Sequence, residues 1–171
     1  MVPEAIRFQS VGYSDSDWAS CTDDRRSTSG HVFSLGFGAI VWSSKKQEVV
    51  ALSSSEAESI AAASAACQAV WLRRLLTDLH NAQQEATTVF CDNKATIAMT
   101  KNLAFHSGTK QIDIHYHFIR RLVAKGEIAL KFCGTNERTT DILTKSLAQG
   151  KHNYLRLKLG VCNFEARGSV E

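Results

Sequence analysis

The segment Thr87-Thr88-Val89-Phe90-Cys91-Asp92-Asn93 is the most informative part of the chain. Its first five residues are β-branched, aromatic or small, which is typical of a buried strand, and the strand ends next to a carboxylate. Lys94–Lys101 then has the pattern of a short helix. In open α/β sheets, ligands bind beyond the carboxyl ends of the strands. Asp92 is therefore predicted to lie at a functional site rather than in the core.

Three further acidic motifs are placed in the same way, at the ends of predicted elements. They are Tyr13-Ser14-Asp15-Ser16-Asp17-Trp18, Ser53-Ser54-Ser55-Glu56-Ala57-Glu58 and Asn136-Glu137-Arg138-Thr139-Thr140-Asp141. Carboxylates that converge on one point repel one another unless a cation such as Mg²⁺ or Mn²⁺ lies between them. The four motifs together predict a metal site of the kind that hydrolyses phosphodiesters with two ions.

Each motif alone has a simpler structural explanation. Asp15 and Asp17 fit an Asx turn, Asp141 fits a helix N-cap, and Glu58 fits dipole stabilisation in the first turn of a helix. Glu56 and Glu58 cannot both line one site, because two helical steps of about 100° place them on opposite faces. Glu58 precedes the apolar stripe of the helix more naturally, so it is the predicted ligand and Glu56 is the alternative.

The rest of the pattern predicts an α/β fold. Strands are predicted at residues 8–14, 29–35, 39–43, 87–91 and 128–133, and helices at 56–80, 94–101, 112–125, 139–147 and 154–159. Gly36-Phe37-Gly38 is a hairpin signal between the second and third strands. This order predicts a five-stranded mixed sheet: an antiparallel meander of the first three strands, further parallel strands, and helices on both faces.

The composition fits one globular domain. The chain has 171 residues, of which 44% are hydrophobic and 22% charged, and we predict a single domain over residues 1–161 with a C-terminal tail at 162–171. No apolar run approaches the roughly 18 residues of a membrane span, so no membrane partner is predicted. The five cysteines are scattered without a C-x-x-C pair, which favours reduced thiols in the cytoplasm.

The net charge of +3 is too small to predict nucleic-acid binding by itself. The local pattern is more informative, because basic doublets such as Arg25-Arg26, Lys45-Lys46 and Arg120-Arg121 accompany the acidic motifs. A basic surface around an acidic pocket suits a phosphate backbone delivered to metal ions, and ordinary solvated doublets are the alternative. His115-Tyr116-His117 is not a predicted zinc site, because its two histidines diverge on a helix.

Several motifs follow one another along the chain in a telling order. They are Asp15-Ser16-Asp17-Trp18-Ala19-Ser20, Trp42-Ser43-Ser44-Lys45-Lys46-Gln47, Ser53-Ser54-Ser55-Glu56-Ala57-Glu58, Cys91-Asp92-Asn93 and Asp141-Ile142-Leu143-Thr144-Lys145. Together they closely resemble the ribonuclease H domain of copia-type LTR retrotransposons, the C-terminal part of their Pol polyprotein. The resemblance extends from Gly12 to Val161, nearly the whole chain.

The resemblance implies a ribonuclease H-like fold and hydrolysis of the RNA strand of RNA–DNA hybrids during reverse transcription. The family's catalytic and metal-binding acids correspond to Asp15, Glu58, Asp92 and Asp141, which would hold two Mg²⁺ or Mn²⁺ ions. The implied partners are an RNA–DNA hybrid and the reverse transcriptase domain of the same polyprotein. Substrate contacts are expected from Ser54, Ser55 and Asn93 to ribose hydroxyls, and from Lys45, Lys46, Lys94 and Lys110 to phosphates.

One departure from the wider family concerns turnover. Many cellular ribonucleases H carry a mobile His before the last acid, whereas Gly134-Thr135-Asn136 contains none, as is usual in the copia-type branch. Slower turnover is therefore expected. The alternative hypothesis is a catalytically weak or inactive module that binds hybrid nucleic acid or has a structural role. A nucleotide-sugar transferase, which Asp-x-Asp also suggests, would leave the other acids unexplained.

Overall fold

The computed structural model describes residues 9–101, 110–134 and 139–162. In these ranges, three strands precede the first helix, and each of the two later strands is followed by two helices. The strands are β1 (Ser10–Asp17), β2 (Thr28–Leu35), β3 (Gly38–Lys46), β4 (Thr87–Cys91) and β5 (Ile128–Phe132). The helices are α1 (Ser54–Asp78), α2 (Lys94–Lys101), α3 (Lys110–Ala124), α4 (Asp141–Thr144) and α5 (Gln149–Lys158).

The strands form one mixed sheet in the order β3-β2-β1-β4-β5. β1, β2 and β3 pair antiparallel, whereas β4 is parallel to both β1 and β5. Strand β1 is central, and its Tyr13 lies beside Phe90 of β4. β4 ends one residue later, at Cys91, while β1 continues to Asp17. The predicted α/β fold with a five-stranded mixed sheet is confirmed, and the shorter β4 leaves a gap beside the end of β1.

Helix α1 covers one face of the sheet. Its Ser53 N-cap accepts a hydrogen bond from the Glu56 amide at 3.2 Å, and its buried side is built mainly from alanine, which lets the helix approach the strands closely. Phe33 of β2 is fully buried in the same core as Leu72 of α1. A Cβ atom at Gly12 of β1 would lie 2.4 Å from the Phe33 ring. Only glycine therefore fits at this position of β1.

Helix α4 covers the opposite face of the meander. Gly30 lies three residues before Phe33 on β2 and so faces the other side of the sheet. A Cβ atom at Gly30 would lie 2.7 Å from Thr144 Cγ2 and 3.0 Å from Leu143 Cβ. The Ser44 hydroxyl of β3 donates a 2.6 Å hydrogen bond to the Leu143 carbonyl. A glycine in β2 and a serine in β3 thus hold α4 directly against the strands.

Several predicted elements have different bounds in the structure. The third strand, predicted at residues 39–43, is β3 (Gly38–Lys46), and the last helix, predicted at 154–159, is α5 (Gln149–Lys158). The first strand was predicted to end at residue 14, but β1 runs to Asp17 because its pairing with β2 continues through Asp15 and Gly30. Residue 8, its predicted start, lies outside the described ranges. The predicted helix over residues 139–147 is a single turn, since Lys145 adopts an extended backbone with φ −127° and ψ 146°.

No helix in the described ranges is both long enough and apolar enough to cross a lipid bilayer. Of the predicted tail at 162–171, all but Cys162 lies outside those ranges.

Candidate active site

Three of the four predicted acids meet at the gap beside β1. Tyr13 and Phe90 are neighbours across the parallel β1–β4 pair, so Asp15, two positions further along β1, comes level with Asp92, one residue beyond the end of β4. Glu58 projects from the second turn of α1 toward the same point. One carboxylate oxygen from each acid lies within 4.8 Å of the others. The three carboxylates therefore meet at the carboxyl end of β4.

Asp15 is fully buried although its side chain is ionisable. The Thr144 hydroxyl donates a short hydrogen bond to Asp15 Oδ2, and Lys145 Nζ lies 3.1 Å from the same oxygen. Burial raises the pKa of the Asp15 carboxyl, and these two contacts from the end of α4 oppose the rise. An acidic side chain in mid-strand is thus kept in place by residues more than a hundred positions away.

Glu58 is held by one oxygen and leaves the other without a partner. The amide and hydroxyl of Ser16 donate hydrogen bonds of 3.0 Å and 2.8 Å to Glu58 Oε1. Glu58 Oε2 is buried and accepts no hydrogen bond from any described residue. Burial, followed by the negative charges of Asp92 and Asp15, raises the pKa of Glu58 to about 8.

Glu56, the alternative second acid, has a different role. Its Oε2 accepts a 2.7 Å hydrogen bond from the Leu52 amide, and its own amide is bound by Ser53. Both contacts stabilise the start of α1. The three-carboxylate group contains Glu58 and not Glu56, as the helical-face argument favoured.

Asp141 lies next to this group but is not a member of it. Its two oxygens bind two ammonium groups: Lys145 Nζ is 2.8 Å from Oδ1, and Lys151 Nζ is 2.7 Å from Oδ2. Although burial favours the neutral acid, the two lysines lower the pKa of Asp141. Because Lys145 also contacts Asp15, Asp141 is joined to the three carboxylates through a cationic side chain.

The residues present fit a divalent cation. Asp15, Glu58 and Asp92 supply the oxygen ligands that Mg²⁺ and Mn²⁺ prefer. The unpartnered Glu58 Oε2 is the clearest sign, since a buried carboxylate oxygen without a donor is costly and a cation would satisfy it. Asp92 is only partly buried, so the group remains open to solvent on its side.

This chain is similar in sequence to transposon Pol polyproteins. Over 150 residues it is 39% identical to the retrovirus-related Pol polyprotein from transposon TNT 1-94 of Nicotiana tabacum. The chain is homologous to the Pol polyproteins of copia-type transposons. The match covers 88% of this chain but only 11% of the polyprotein, so the homologue spans about a tenth of that relative's length. No family model matches the chain.

Two solved structures with the same fold are a ribonuclease H domain and a ribonuclease H1. The N-terminal RNase H domain of rv2228c from Mycobacterium tuberculosis, a fusion with maltose-binding protein, superposes with a TM-score of 0.59 at 12% identity, covering 88% of this chain and 97% of that one. LC11-RNase H1 in complex with RNA/DNA hybrid gives a TM-score of 0.58 at 11% identity, covering 80% and 94%. The Pol homologue therefore has the ribonuclease H-like fold.

Three of the predicted substrate residues lie close in sequence to Asp92 or Glu58. Asn93 follows Asp92; its Nδ2 donates to Ser55 Oγ at 3.4 Å, and its Oδ1 accepts from the Thr96 amide at 3.1 Å. Ser54 is exposed at the first turn of α1. These polar groups lie at the starts of α1 and α2, which flank the gap.

The predicted phosphate-binding lysines are more dispersed. Lys94 is exposed and its ammonium lies 4.9 Å from the centre of the Phe132 ring. Lys45 and Lys46 line a cleft of about 360 Å³ that also contains Gln47 and His115 and none of the four predicted acids. Lys110 begins α3, but its side chain lies outside the described part of the chain.

Sequence reasoning missed four residues that hold the carboxylates in place. They are Ser16, Thr144, Lys145 and Lys151. One local signal was available for Lys145, because it follows Asp141 by four residues and an acid–base pair at that spacing meets on a helix. The bonds from Thr144 to Asp15 and from Ser16 to Glu58 are long-range and leave no pattern in the local sequence.

The raised pKa of Glu58 makes the stability of the metal-free protein depend on pH. The folded state keeps the Glu58 proton up to about pH 8, whereas the unfolded chain releases it near 4.5. Between these values the unfolded state binds fewer protons, so the free energy of unfolding falls as pH rises. The contribution of this one group approaches about 1.4 kcal/mol per pH unit.

Urea unfolding in EDTA between about pH 4.5 and pH 8 would measure the fall in the free energy of unfolding. The variant Glu58→Gln, which has no ionisable group at this position, should lack that fall. The exposed Glu48→Gln is the matched control and should keep the wild-type slope. Equal pH slopes for the wild type and Glu58→Gln would contradict the prediction.

Proposed function

We propose that this chain is a metal-dependent endoribonuclease that hydrolyses the RNA strand of RNA–DNA hybrids and serves retrotransposon reverse transcription. The observation that carries the proposal is the convergence of Asp15, Glu58 and Asp92 within 4.8 Å at the end of a parallel strand pair. The ribonuclease H-like fold and the Pol polyprotein homologues support a function of this kind. The crystal structure of LC11-RNase H1, which shares the fold, is of its complex with RNA/DNA hybrid.

The chain's own residues would bind and orient the reacting groups. Asp15, Glu58 and Asp92 would hold Mg²⁺ or Mn²⁺, with Asp141 as the fourth ligand when two ions are present. The ions would activate the attacking water and stabilise the leaving 3′-oxygen. Because three of these acids are buried, their positions depend little on solvent, and the substrate phosphate would meet a preorganised site.

Neighbouring hydrogen bonds fix the orientation of two of the acids, Glu58 and Asp15. Ser16 holds Glu58 Oε1 and so fixes the side chain, whose other oxygen, Oε2, has no hydrogen-bond partner among the described residues. Thr144 holds Asp15 Oδ2. These donors come from β1 and α4, two elements already anchored in the sheet. The acids therefore need no rearrangement of the backbone to accept a cation.

The substrate would approach over the starts of α1 and α2. Ser54, Ser55 and Asn93 lie there, and their hydroxyl and amide groups suit the 2′-hydroxyls that distinguish RNA from DNA. Lys94 begins α2 on the same side and would contact a phosphate. Lys45, Lys46 and Lys110 are proposed for phosphates further along the duplex.

The proposed setting is the cytoplasm, beside the reverse transcriptase of the same polyprotein. The chain spans 11% of its tobacco relative, so further Pol segments are available as partners in an element of that kind. A reverse transcriptase neighbour would deliver the hybrid that it has just synthesised.

The direct test is cleavage of an end-labelled RNA–DNA hybrid by the purified chain. Mg²⁺, Mn²⁺ and EDTA would be compared, with RNA–RNA and DNA–DNA duplexes as substrate controls. We expect internal cuts in the RNA strand of the hybrid alone, and only when a divalent ion is present.

A matched pair of variants on β1 ties that activity to the site. Asp15→Asn should abolish cleavage, whereas Asp17→Asn, partly exposed at the end of the same strand and outside the three-carboxylate group, should retain it. A folded wild-type protein that binds hybrid without cutting it under Mn²⁺ would refute the enzyme and leave the inactive binding module as the function.

A further inference from the structure

Two lysines that have no role in the proposed mechanism form ion pairs with Asp141, the fourth predicted acid. Lys145 Nζ binds one oxygen of Asp141 at 2.8 Å and Lys151 Nζ binds the other at 2.7 Å. The Asp141 side chain is 3% exposed, whereas the two lysine side chains are 31% and 48% exposed. Asp141 therefore has both oxygens occupied by ammonium groups that reach in from the surface.

Lys145 does more than neutralise Asp141. The same ammonium lies 3.1 Å from Oδ2 and 3.3 Å from Oδ1 of Asp15. It thus bridges the two acids that come from β1 and α4. A metal ion shared by Asp15 and Asp141 would need the space that the Lys145 ammonium fills.

The net charge of the four acids and two lysines also favours a single bound divalent ion. Asp15, Glu58, Asp92 and Asp141 bring four carboxylates, and two ammonium groups are already bound to them. The remaining charge, with every acid ionised, is that of two carboxylates, which one divalent ion neutralises. A second divalent ion would raise the charge of the cluster to that of two cations, and withdrawal of one ammonium group would halve this excess.

We propose that Lys145 occupies the place of a second cation, so that the site binds one divalent ion through Asp15, Glu58 and Asp92 and accepts another only after Lys145 withdraws. This inference rests on the proposed function, since it concerns the order in which that site is loaded. Lys145 is a positioning residue here: it holds Asp15 and Asp141 together until the second ion replaces it.

The fold allows this withdrawal without moving the backbone. α4 is fixed to the sheet through Ser44 and Leu143, and Lys145 lies just beyond the helix in an extended conformation. Its side chain is partly exposed, so rotation about its methylene groups can carry the ammonium into solvent. A phosphodiester brought by the hybrid would give the departing ammonium a new anionic partner, which couples loading of the second ion to substrate binding.

Metal binding without nucleic acid tests the inference. Mn²⁺ would be titrated into wild type, Lys145→Met and Lys131→Met, with bound ions counted by electron paramagnetic resonance and affinities measured by calorimetry. Lys131 is an exposed lysine on β5 and serves as the matched control. We expect one bound ion in the wild type and in Lys131→Met. Lys145→Met should bind a second ion, with an affinity at least about tenfold higher than the wild type shows for it.

The variant Lys151→Met distinguishes the effect of the Lys145 contact with both acids from the effect of removing one positive charge. It also deletes one positive charge beside Asp141, but it leaves Lys145 between the two acids. Its second ion should therefore bind more weakly than that of Lys145→Met. Thermal unfolding of each variant would verify that the fold is retained.

The outcomes are distinguishable. If the wild type and Lys145→Met bind the same number of ions with the same affinities, the inference is overturned while the metal site stands. An equal gain in Lys151→Met and Lys145→Met would also overturn it, because charge and not the bridge would then be responsible. If no variant binds Mn²⁺, the proposed metal-dependent function falls as well.

Discussion

Asp92→Asn is expected to lower the rate of hybrid cleavage by at least about a thousandfold, equivalent to about 4 kcal/mol of transition-state stabilisation. Asparagine has nearly the shape of aspartate, so the packing around β4 and α2 is retained. The change removes one of the three carboxylates that meet within 4.8 Å. Single-turnover cleavage of a labelled hybrid, with excess enzyme and saturating Mg²⁺, measures the loss directly.

The same variant should be at least as stable as the wild type. The charge of Asp92 is the second largest cause, after burial, of the raised pKa of Glu58, so removing it lessens a repulsion within the folded state. The pKa of Glu58 should therefore fall below about 8, which urea unfolding at several pH values would detect. Asp78→Asn, at the exposed end of α1, is the matched control. Wild-type cleavage by Asp92→Asn would show that the acids are wrongly assigned.

Gly30→Val is expected to impair cleavage without touching an acid. A Cβ atom at Gly30 would already lie 2.7 Å from Thr144 Cγ2 and 3.0 Å from Leu143 Cβ, and the two methyl groups of valine need still more room. α4 must then move away from β2 and carry Asp141 and Thr144 with it. A displacement of about 1 Å at a catalytic group can cost about a hundredfold in rate, and overpacking costs about 1–3 kcal/mol of stability.

Gly38→Val is the control for this prediction. Gly38 begins β3, and a Cβ atom there would meet nothing within 4 Å, so this variant should cleave hybrid at nearly the wild-type rate. Rates would be compared at a temperature where urea unfolding shows both variants fully folded. If Gly30→Val retained wild-type cleavage and stability, the close contact between α4 and β2 would not be what positions Asp141.

The order of strands and helices was predictable because it depends on local sequence patterns. Alternating and β-branched residues mark β2 and β4, the glycine turn marks the β2–β3 hairpin, and Ser53 marks the start of α1. Element ends were less predictable, since they depend on partners elsewhere in the chain. β1 extends to Asp17 because β2 continues to pair with it, which no local feature of Ser14-Asp15-Ser16-Asp17 reveals.

The prediction of the site was limited in a similar way. Helical periodicity favoured Glu58 over Glu56, and the structure brings Glu58 to Asp15 and Asp92. Periodicity could not show that Lys145 bridges Asp15 and Asp141, because that contact spans 130 residues along the chain. Charge balance around a buried acid is a property of the assembled fold, whereas the identity of the acid is a property of its motif.

The hydrogen bond from Thr144 to Asp15 joins residues 129 positions apart, and this separation has a consequence in time. At roughly 5–20 residues per second, a ribosome makes Thr144 roughly 6–26 s after Asp15. The strand pairs of the β1–β2–β3 meander are local in sequence and can form during that interval. The surroundings of the three-carboxylate group are therefore completed late: a chain cut short before α4 would lack Thr144 and Lys145, which hold Asp15 in place.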